Sequence, residues 1–273
     1  MKAGIIAWTT YLEVVRRPLF WSIVCVAIVA IYPLSFYLPY NTFGEDTKMV
    51  SNLGLADIMV AGLVIALFAA SVSIAEEIEG KTAITLLSKP ISRLDFILGK
   101  FLGIMMGVGL LFILVGIAFM ITLFFKAGYD AREVAKEIPT AQERISMIWR
   151  VVPGLFLMYF QVMILCALSV AFSTRLPIHL NITACIIIML LGHLSNQLVQ
   201  AAQTDNRFRG VEFVAQVFAT ILPGFEYFNI GPAISSDVVV PATYVLWAFF
   251  YCLLYTGVAI FAALLMFEDR DLA

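Results

Sequence analysis

Long runs without a charged residue dominate this sequence and restrict what it can fold into. A helix of about 20 apolar residues crosses the roughly 30 Å of hydrocarbon in a bilayer. Within lipid every backbone amide has to be paired inside its own segment, so such runs form helices. We therefore expect an all-α, polytopic integral membrane protein with six transmembrane helices, built as a single domain over residues 1–273. The six charge-free runs are 19–38, 58–75, 101–125, 151–174, 176–204 and 238–267.

The composition argues against a soluble enzyme. Apolar residues make up 62% of the 273 residues and charged residues only 13%, with a mean hydropathy of +0.97. A soluble domain is about half apolar and about a quarter charged. The net charge of −2 gives no basis for binding nucleic acid. With two histidines and four dispersed cysteines, we expect no metal site, no cofactor bound by this chain and no catalytic residue.

The first 18 residues carry a separate pattern. Apolar side chains recur three and four residues apart, which places them on one face of a helix. These residues are Ile5, Trp8, Leu12, Val15 and Leu19. Pro18 predicts a break before the first span. The pattern is typical of an amphipathic helix at the membrane interface, and a simple cytoplasmic extension of the first span is the alternative.

Basic residues around the first span predict the orientation in the plasma membrane. Lys2, Arg16 and Arg17 precede that span and only Lys48 follows it, which favours a cytoplasmic amino terminus. Six spans would return the carboxyl terminus to the cytoplasm. Segments 126–150 and 205–237 would then be extracytoplasmic, with a re-entrant stretch at 213–225 before the last span. The five basic residues within 126–150 run against this orientation.

The polar linker between the second and third predicted spans is the most informative segment. Residues 76–95 are expected to contain a short cytoplasmic helix, which Pro90 ends. Ser92 then begins the next helix, with Asp95 three residues later, as in a capping box. A short helix connected rigidly to a span suits the transmission of movement from a soluble partner. An ordinary solvated loop is the alternative.

A stripe of glycines follows the linker at the start of the third predicted span. Gly99, Gly103 and Gly107 recur every four residues and share one helix face. Such a stripe lets the backbone of another helix approach closely. We therefore expect a helix to pack against this face.

The linker and two later segments resemble a known family. The order E-E-I-E-G-K-T, then L-L-S-K-P-I-S-R, then G-K over 76–100 is similar to the coupling segment in permease subunits of type-2 ABC transporters. The run L-P-G-F-E-Y-F-N at 222–229 resembles the outward-facing re-entrant segment of that family. The run F-E-D-R-D at 267–271 resembles its charged tail.

This resemblance implies the membrane subunit of an exporter, driven by separate ABC ATPase subunits that carry the ATP and Mg²⁺. A second permease copy, identical or not, would complete the transport pathway. The resemblance implies that the ATPase docking surface contains Glu76, Glu77, Gly80, Lys81 and Thr82. It also implies that the turn into the third span is formed by Pro90, Ser92 and Arg93. Glu226 and Asn229 would lie near the extracytoplasmic gate.

Polar residues inside the predicted spans have two interpretations. They mark a transport pathway, or they form hydrogen bonds between helices. The residues are Gln161 in the fourth predicted span, and His193 and Asn196 toward the outer end of the fifth. The sequence leaves both interpretations open.

Two other functional classes remain as alternatives. A stand-alone secondary transporter tends to carry charged residues in its spans and an internal repeat, and the six predicted spans show neither. The pair Glu76-Glu77 suggests an intramembrane protease, but Lys81 stands where that class has an arginine. Gly80-Lys81-Thr82 resembles the end of a phosphate-binding loop, but Ala75 replaces the first glycine that the motif requires.

Overall fold

The computed structural model describes residues 2–36, 46–79, 92–133, 139–204, 220–236 and 238–268. These residues form helices and turns and contain no strand, which confirms the all-α prediction. A 3-10 helix covers Phe225–Phe228. The α-helices are α1 (Lys2–Arg16), α2 (Pro18–Phe36), α3 (Asp46–Glu79), α4 (Arg93–Glu133), α5 (Ala141–Ser173), α6 (Ile178–Thr204), α7 (Gly231–Ser235) and α8 (Ala242–Glu268).

Four helices are long and apolar enough to cross a membrane, as a polytopic protein requires. They are Asp46–Ile74, Arg93–Arg132, Ala141–Ser173 and Ala242–Phe267. A fifth is obtained if α1 and α2 count together as one bent span. Within the described residues there are thus four or five candidate spans, where the sequence predicts six. The shortfall arises because α2 follows a 62° bend and the described apolar part of α6, Ile178–Leu194, is short.

The helices continue beyond the charge-free runs. α4 has 41 residues, or about 60 Å at 1.5 Å per residue, so it extends well outside the roughly 30 Å of hydrocarbon. Much of the segment 126–150, which is predicted to lie between two spans, is therefore the end of α4 and the start of α5. The helices also include charged residues next to the charge-free runs: Asp57 lies inside the helix Asp46–Ile74, directly before the run 58–75, and Lys100 lies inside α4, directly before the run 101–125.

The helix α5 lies at the centre of the bundle and contacts α3, α4, α6 and α8. Its start is fixed by a capping box: the Glu143 amide donates to the Thr140 hydroxyl, and the Thr140 amide donates to the Glu143 carboxylate. From Leu157 to Val170 most of its side chains are buried. Its contacts with four other helices explain why this central stretch of α5 is buried.

The helix α1 packs against the glycine stripe at the start of α4. A Cβ atom on Gly103 would lie 2.5 Å from the carbonyl oxygen of Ala7, and one on Gly99 would lie 2.7 Å from the Ile6 side chain. No side chain fits between the two helices at these positions, so the backbones approach closely. The residues of α1 that are buried in this contact are small or β-branched: Ala7, Thr10 and Val14.

The apolar face of α1 that the spacing predicts points away from α4. Ile5 is 68% exposed and Trp8 is 54% exposed. An exposed apolar face next to a membrane-spanning bundle suits contact with lipid. The bend between α1 and α2 falls at Arg17, next to Pro18, which has no N–H to continue the helical hydrogen bonds.

Candidate functional site

The predicted coupling segment joins α3 to α4, and the structure describes its two points of attachment. α3 ends at Glu79 and α4 begins at Arg93. Gly80, Lys81, Thr82 and Pro90 lie outside the described residues. Glu76 and Glu77 lie in the last turns of α3, but their side chains are also outside the described part.

Ser92 caps the start of α4, as its spacing from Asp95 predicts. The Asp95 amide donates a hydrogen bond of 3.1 Å to the Ser92 hydroxyl oxygen. The same hydroxyl donates to the Asp95 carboxylate at 2.7 Å. An N-cap of this kind satisfies an amide that the first helical turn leaves unpaired. The direction in which α4 leaves the coupling segment is therefore fixed by local chemistry.

A buried lysine connects three helices two turns further along α4. The ammonium group of Lys100 donates to the Ser73 hydroxyl of α3 at 2.8 Å and lies 3.7 Å from a carboxylate oxygen of Glu13 in α1. Glu13 also pairs with Arg17 at 2.6 Å. Lys100 is 3% exposed, and a buried lysine without partners carries a large desolvation cost. Because its partners come from α1 and α3, this charge depends on how the three helices sit together.

The end of α8 lies against the start of α4. The ring of Phe267 stacks on Phe96 at 5.9 Å, and the guanidinium of Arg93 lies 6.0 Å from the centre of the Phe267 ring. The Nε–H of Arg175, in the turn between α5 and α6, donates to the carbonyl oxygen of Met266 at 3.0 Å. Five chain segments therefore meet near the start of α4: α1, α3, α4, α8 and the turn between α5 and α6. We name this cluster the coupling junction and define it as Glu13, Ser73, Arg93, Lys100, Arg175 and Phe267.

A second buried polar cluster lies nearby between α3, α5 and α6. The side-chain amide of Asn181 donates to the hydroxyls of Ser71 and Ser169 at 2.8 and 3.0 Å, and it lies 3.1 Å from the Ser169 carbonyl oxygen. Asn181 is fully buried. Sequence reasoning missed this cluster and Lys100, because neither serines nor a single asparagine in an apolar run identify a partner. The only available signal was the presence of a polar residue in a segment that lipid would surround.

Three predicted pathway residues line one cavity in the other half of the bundle. The cavity has a volume of about 200 Å³, and its polar lining residues are Asn52, Gln161, His193 and Asn229. The Gln161 amide nitrogen lies 3.3 Å from His193 Nε2, and His193 Nδ1 lies 2.9 Å from the Met189 carbonyl oxygen. The carbonyl can only accept, so Nδ1 carries the proton and Nε2 accepts from Gln161. The contact between these two residues is therefore a hydrogen bond between helices beside an open space.

The remaining predicted gate and pathway residues lie outside this cavity lining. Asn196 is in α6, but its side chain is outside the described part. Glu226 lies in the 3-10 helix and does not line the cavity. Its Oε2 atom is buried, and among the described residues it has no hydrogen-bond partner.

Tyrosines of α8 hold the segment that carries Glu226 and Asn229. The Tyr244 hydroxyl donates to the Tyr227 carbonyl oxygen at 2.6 Å, and the Gly224 amide donates to the Tyr251 hydroxyl at 3.0 Å. The Tyr255 hydroxyl donates to the Ile221 carbonyl oxygen. These bonds satisfy backbone groups of a non-helical segment, which is a requirement for irregular structure in a membrane protein.

The long apolar helices indicate a multi-pass membrane protein. The family model described as ABC-2 family transporter protein matches residues 5–272. Because the match covers nearly the whole chain, the protein belongs to this family, and the resemblance seen in the sequence is confirmed. Members are membrane subunits of ABC transporters that associate with ABC ATPase subunits and are not themselves catalytic. A search of the curated proteins finds no match.

Proposed function

We propose that this chain is the permease subunit of an ABC exporter in the plasma membrane and that a separate ATP-hydrolysing subunit docks on the coupling segment at 76–95. The observation that supports this proposal most directly is the coupling junction. Helices α1, α3, α4 and α8 are joined there by hydrogen bonds, an ion pair and ring contacts. Movement delivered between α3 and α4 would therefore reach most of the bundle.

The proposed mechanism is a population shift between two arrangements of a permease dimer. ATP binding would close two ATPase subunits and displace both coupling segments. Each displacement would act on the start of α4, and Lys100 would carry it to α3 and α1 through Ser73 and Glu13. A ligand shifts such an equilibrium only by its different affinity for the two states, so the docked ATPases have to hold the two arrangements differently.

We also propose that α2 and α6 are the fifth and sixth spans, with both chain termini in the cytoplasm. Their apolar side chains are widely exposed, among them Val26 and Val29 of α2 and Leu180 and Leu190 of α6. A continuous exposed surface of this kind is stable in lipid but not in water. α1 would then lie at the interface, with Ile5 and Trp8 toward the membrane.

The cavity between Asn52 and Asn229 is the proposed outer part of the pathway. Its amides and the His193 ring would give a polar solute hydrogen-bonding partners inside an apolar bundle. Glu226, with its unpartnered buried oxygen, would act next to it as part of the gate. Substitution of Gln161 by Leu would test this, because it removes the bond to His193 and lowers the polarity of the lining.

Co-expression with candidate ABC ATPases, followed by affinity capture, tests the main proposal. A stable complex is expected, and ATP hydrolysis by the captured ATPase should be stimulated by the permease. The Lys100→Met variant should lower this stimulation about tenfold, within the range of measured coupling between sites. Glu77→Ala and Gly80→Ala should act in the same direction through the docking surface. The matched control is the double variant Lys126→Met, Asp130→Leu at the opposite end of α4, which should stimulate like the natural chain.

Transport by the reconstituted chain alone, without ATP, would instead support a secondary transporter. The orientation has its own test, a cysteine at Ser88 in a chain whose exposed native Cys25 is replaced. A membrane-impermeant thiol reagent added outside intact cells should leave it unmodified, and the same reagent should modify it after lysis. Labelling from outside would place the coupling segment on the wrong side of the membrane.

A further inference from the structure

Two further glycines on α4, beyond the glycine stripe that contacts α1, border an open groove. The groove runs between α4 and α5 and has a volume of about 370 Å³. Gly109 and Gly116 line it from α4, and Leu155, Phe156 and Tyr159 line it from α5. Ile113, Ile117 and Phe156 are each more than half exposed, so the groove opens on the outer surface of the bundle.

These glycines differ from those that contact α1. A Cβ atom on Gly109 would lie 3.6 Å from the Tyr159 hydroxyl, and one on Gly116 would lie 3.6 Å from the Leu155 side chain. Both are ordinary contact distances, so packing between α4 and α5 does not require glycine there. Glycine lowers helix stability relative to alanine, and here its structural effect is to leave the groove empty.

The lining of the groove excludes a polar ligand. The lining residues are glycine, aliphatic or aromatic, with Met120 at the far end. The Tyr159 hydroxyl is the polar side-chain group among them. That hydroxyl donates to the Met105 carbonyl oxygen at 3.1 Å. A ligand in the groove would therefore meet only apolar atoms, which are the atoms that a hydrocarbon chain requires.

The length and position of the groove indicate which apolar ligand fits. From Gly109 to Met120 it extends about 16 Å along α4 at 1.5 Å per residue. The hydrocarbon of one leaflet is about 15 Å thick, half of the bilayer core. Trp149, 67% exposed on α5, lies one turn beyond the end of the groove at Val152, and tryptophan is enriched at the membrane interface. A helix of a partner protein would need a groove through both leaflets, so the dimensions favour a single lipid chain.

We infer that this groove binds one acyl chain of a phospholipid in the leaflet on the side of the α4–α5 connection. The chain lies between Gly109 and Met120, and the lipid headgroup lies near Trp149. The site is separate from the coupling junction and from the cavity at Gln161. It does not depend on the proposed direction of transport or on an ATPase.

The test uses the full chain in nanodiscs of phosphatidylcholine with a diazirine at the middle of one acyl chain. After irradiation, mass spectrometry of peptides measures carbene insertion at Ile113, Ile117 and Phe156. Insertion at Leu254 and Val258 of α8, which are 72% and 68% exposed, gives the level for ordinary surrounding lipid. We expect the groove residues to be labelled roughly fivefold more, because a chain in the groove gains extra van der Waals contacts.

Filling the groove provides the decisive comparison. The double variant Gly109→Leu, Gly116→Leu should reduce labelling of the groove to the level of α8. Gly257→Leu is the matched control, because a Cβ atom there would meet nothing within 4 Å, and it should leave the enrichment unchanged. If the filled variant does not fold, Gly109→Ala, Gly116→Ala should show the same change to a smaller extent. Equal labelling of groove and α8 in the natural chain, enrichment that survives filling, or protection of the groove by another protein would each overturn the inference.

Discussion

The two ends of α4 each bury a lysine, and they neutralise its charge in different ways. Toward the carboxyl-terminal end of α4, Lys126 lies 2.7 Å from Asp130, four residues later on the same helix, as an ion pair. The Thr47 hydroxyl of α3 donates to the other Asp130 oxygen at 2.6 Å. At the coupling junction, Lys100 contacts other helices instead: the Ser73 hydroxyl of α3 at 2.8 Å and the Glu13 carboxylate of α1 at 3.7 Å.

The Lys126–Asp130 pair lies within one helix, whereas the Lys100–Glu13 pair joins two helices and depends on their relative position. Two residues four apart on one rigid helix keep their distance whatever the neighbouring helices do. The Lys100 and Glu13 side chains are on different helices, so their distance changes whenever α1 moves relative to α4. The Lys126–Asp130 pair therefore stabilises the bundle, and the contacts of Lys100 can respond to movement. The following predictions test this distinction.

The largest effect on stability is expected from Lys126→Met. The substitution leaves the Asp130 carboxylate buried without its cation, and removal of one partner of a buried pair costs about 3 kcal/mol or more. The free energy of unfolding, measured by titration with sodium dodecyl sulfate, should fall by that amount. Lys126→Met combined with Asp130→Leu should recover most of the loss. If the single variant is as stable as the natural chain, the Lys126–Asp130 pair does not stabilise the bundle.

A smaller effect is expected from Gly103→Ala at the contact between α1 and α4. The new Cβ atom would lie 2.5 Å from the Ala7 carbonyl oxygen, and overpacking of this kind costs about 1–3 kcal/mol. Protection of α1 amides from hydrogen exchange should fall together with the melting temperature. Gly257→Ala is the control, because a Cβ atom there meets nothing within 4 Å, and it should leave both unchanged or raise the melting temperature. Equal behaviour of the two variants would show that α1 is not held by the glycine stripe.

The smallest effect on stability is expected from Lys100→Met. Methionine keeps the apolar part of the side chain, and Glu13 keeps Arg17 as a partner and is 38% exposed. Neither described partner, Glu13 or the neutral Ser73, becomes a fully buried unpaired charge, so the free energy of unfolding should change by about 1 kcal/mol or less. The same variant should still lose stimulation of the ATPase. A loss of stability as large as that of Lys126→Met would mean that both ends of α4 use their lysines in the same way.

The sequence predicts the existence and apolar centres of the spanning helices but not their ends. A charged residue is read as the end of a span, because lipid does not accept an isolated charge. Lys126 and Asp130 satisfy each other inside α4, and Lys100 is satisfied by Ser73, so the helix continues through all three. The contact of Lys100 with Ser73 joins two helices, and the Lys126–Asp130 pair forms only if α4 remains helical past its apolar part. A hydropathy pattern contains neither kind of information.

The candidate site was predictable where spacing alone determines the chemistry. Ser92 and Asp95 are three residues apart, and they form the expected cap. The face of α1 that packs on the bundle was not predictable, because hydrophobicity identifies Ile5 and Trp8 without distinguishing lipid from protein as their neighbour. Close packing between helices in a membrane uses small residues such as Ala7 instead. The grouping of Gln161 with His193 and Asn229 also required the fold, since 32 and 36 residues separate consecutive members along the chain.

The attachment of the last turn of α8 to Arg93 and Arg175 has a practical consequence for measurements on this protein. Anything fused after residue 268 emerges beside the start of α4 and shares space with whatever binds there. If an ATPase docks beside the start of α4, as proposed above, a bulky fluorescent protein at that position would compete with it. A small donor dye at the same position, paired with an acceptor on the ATPase, would report arrival and departure of that subunit by energy transfer.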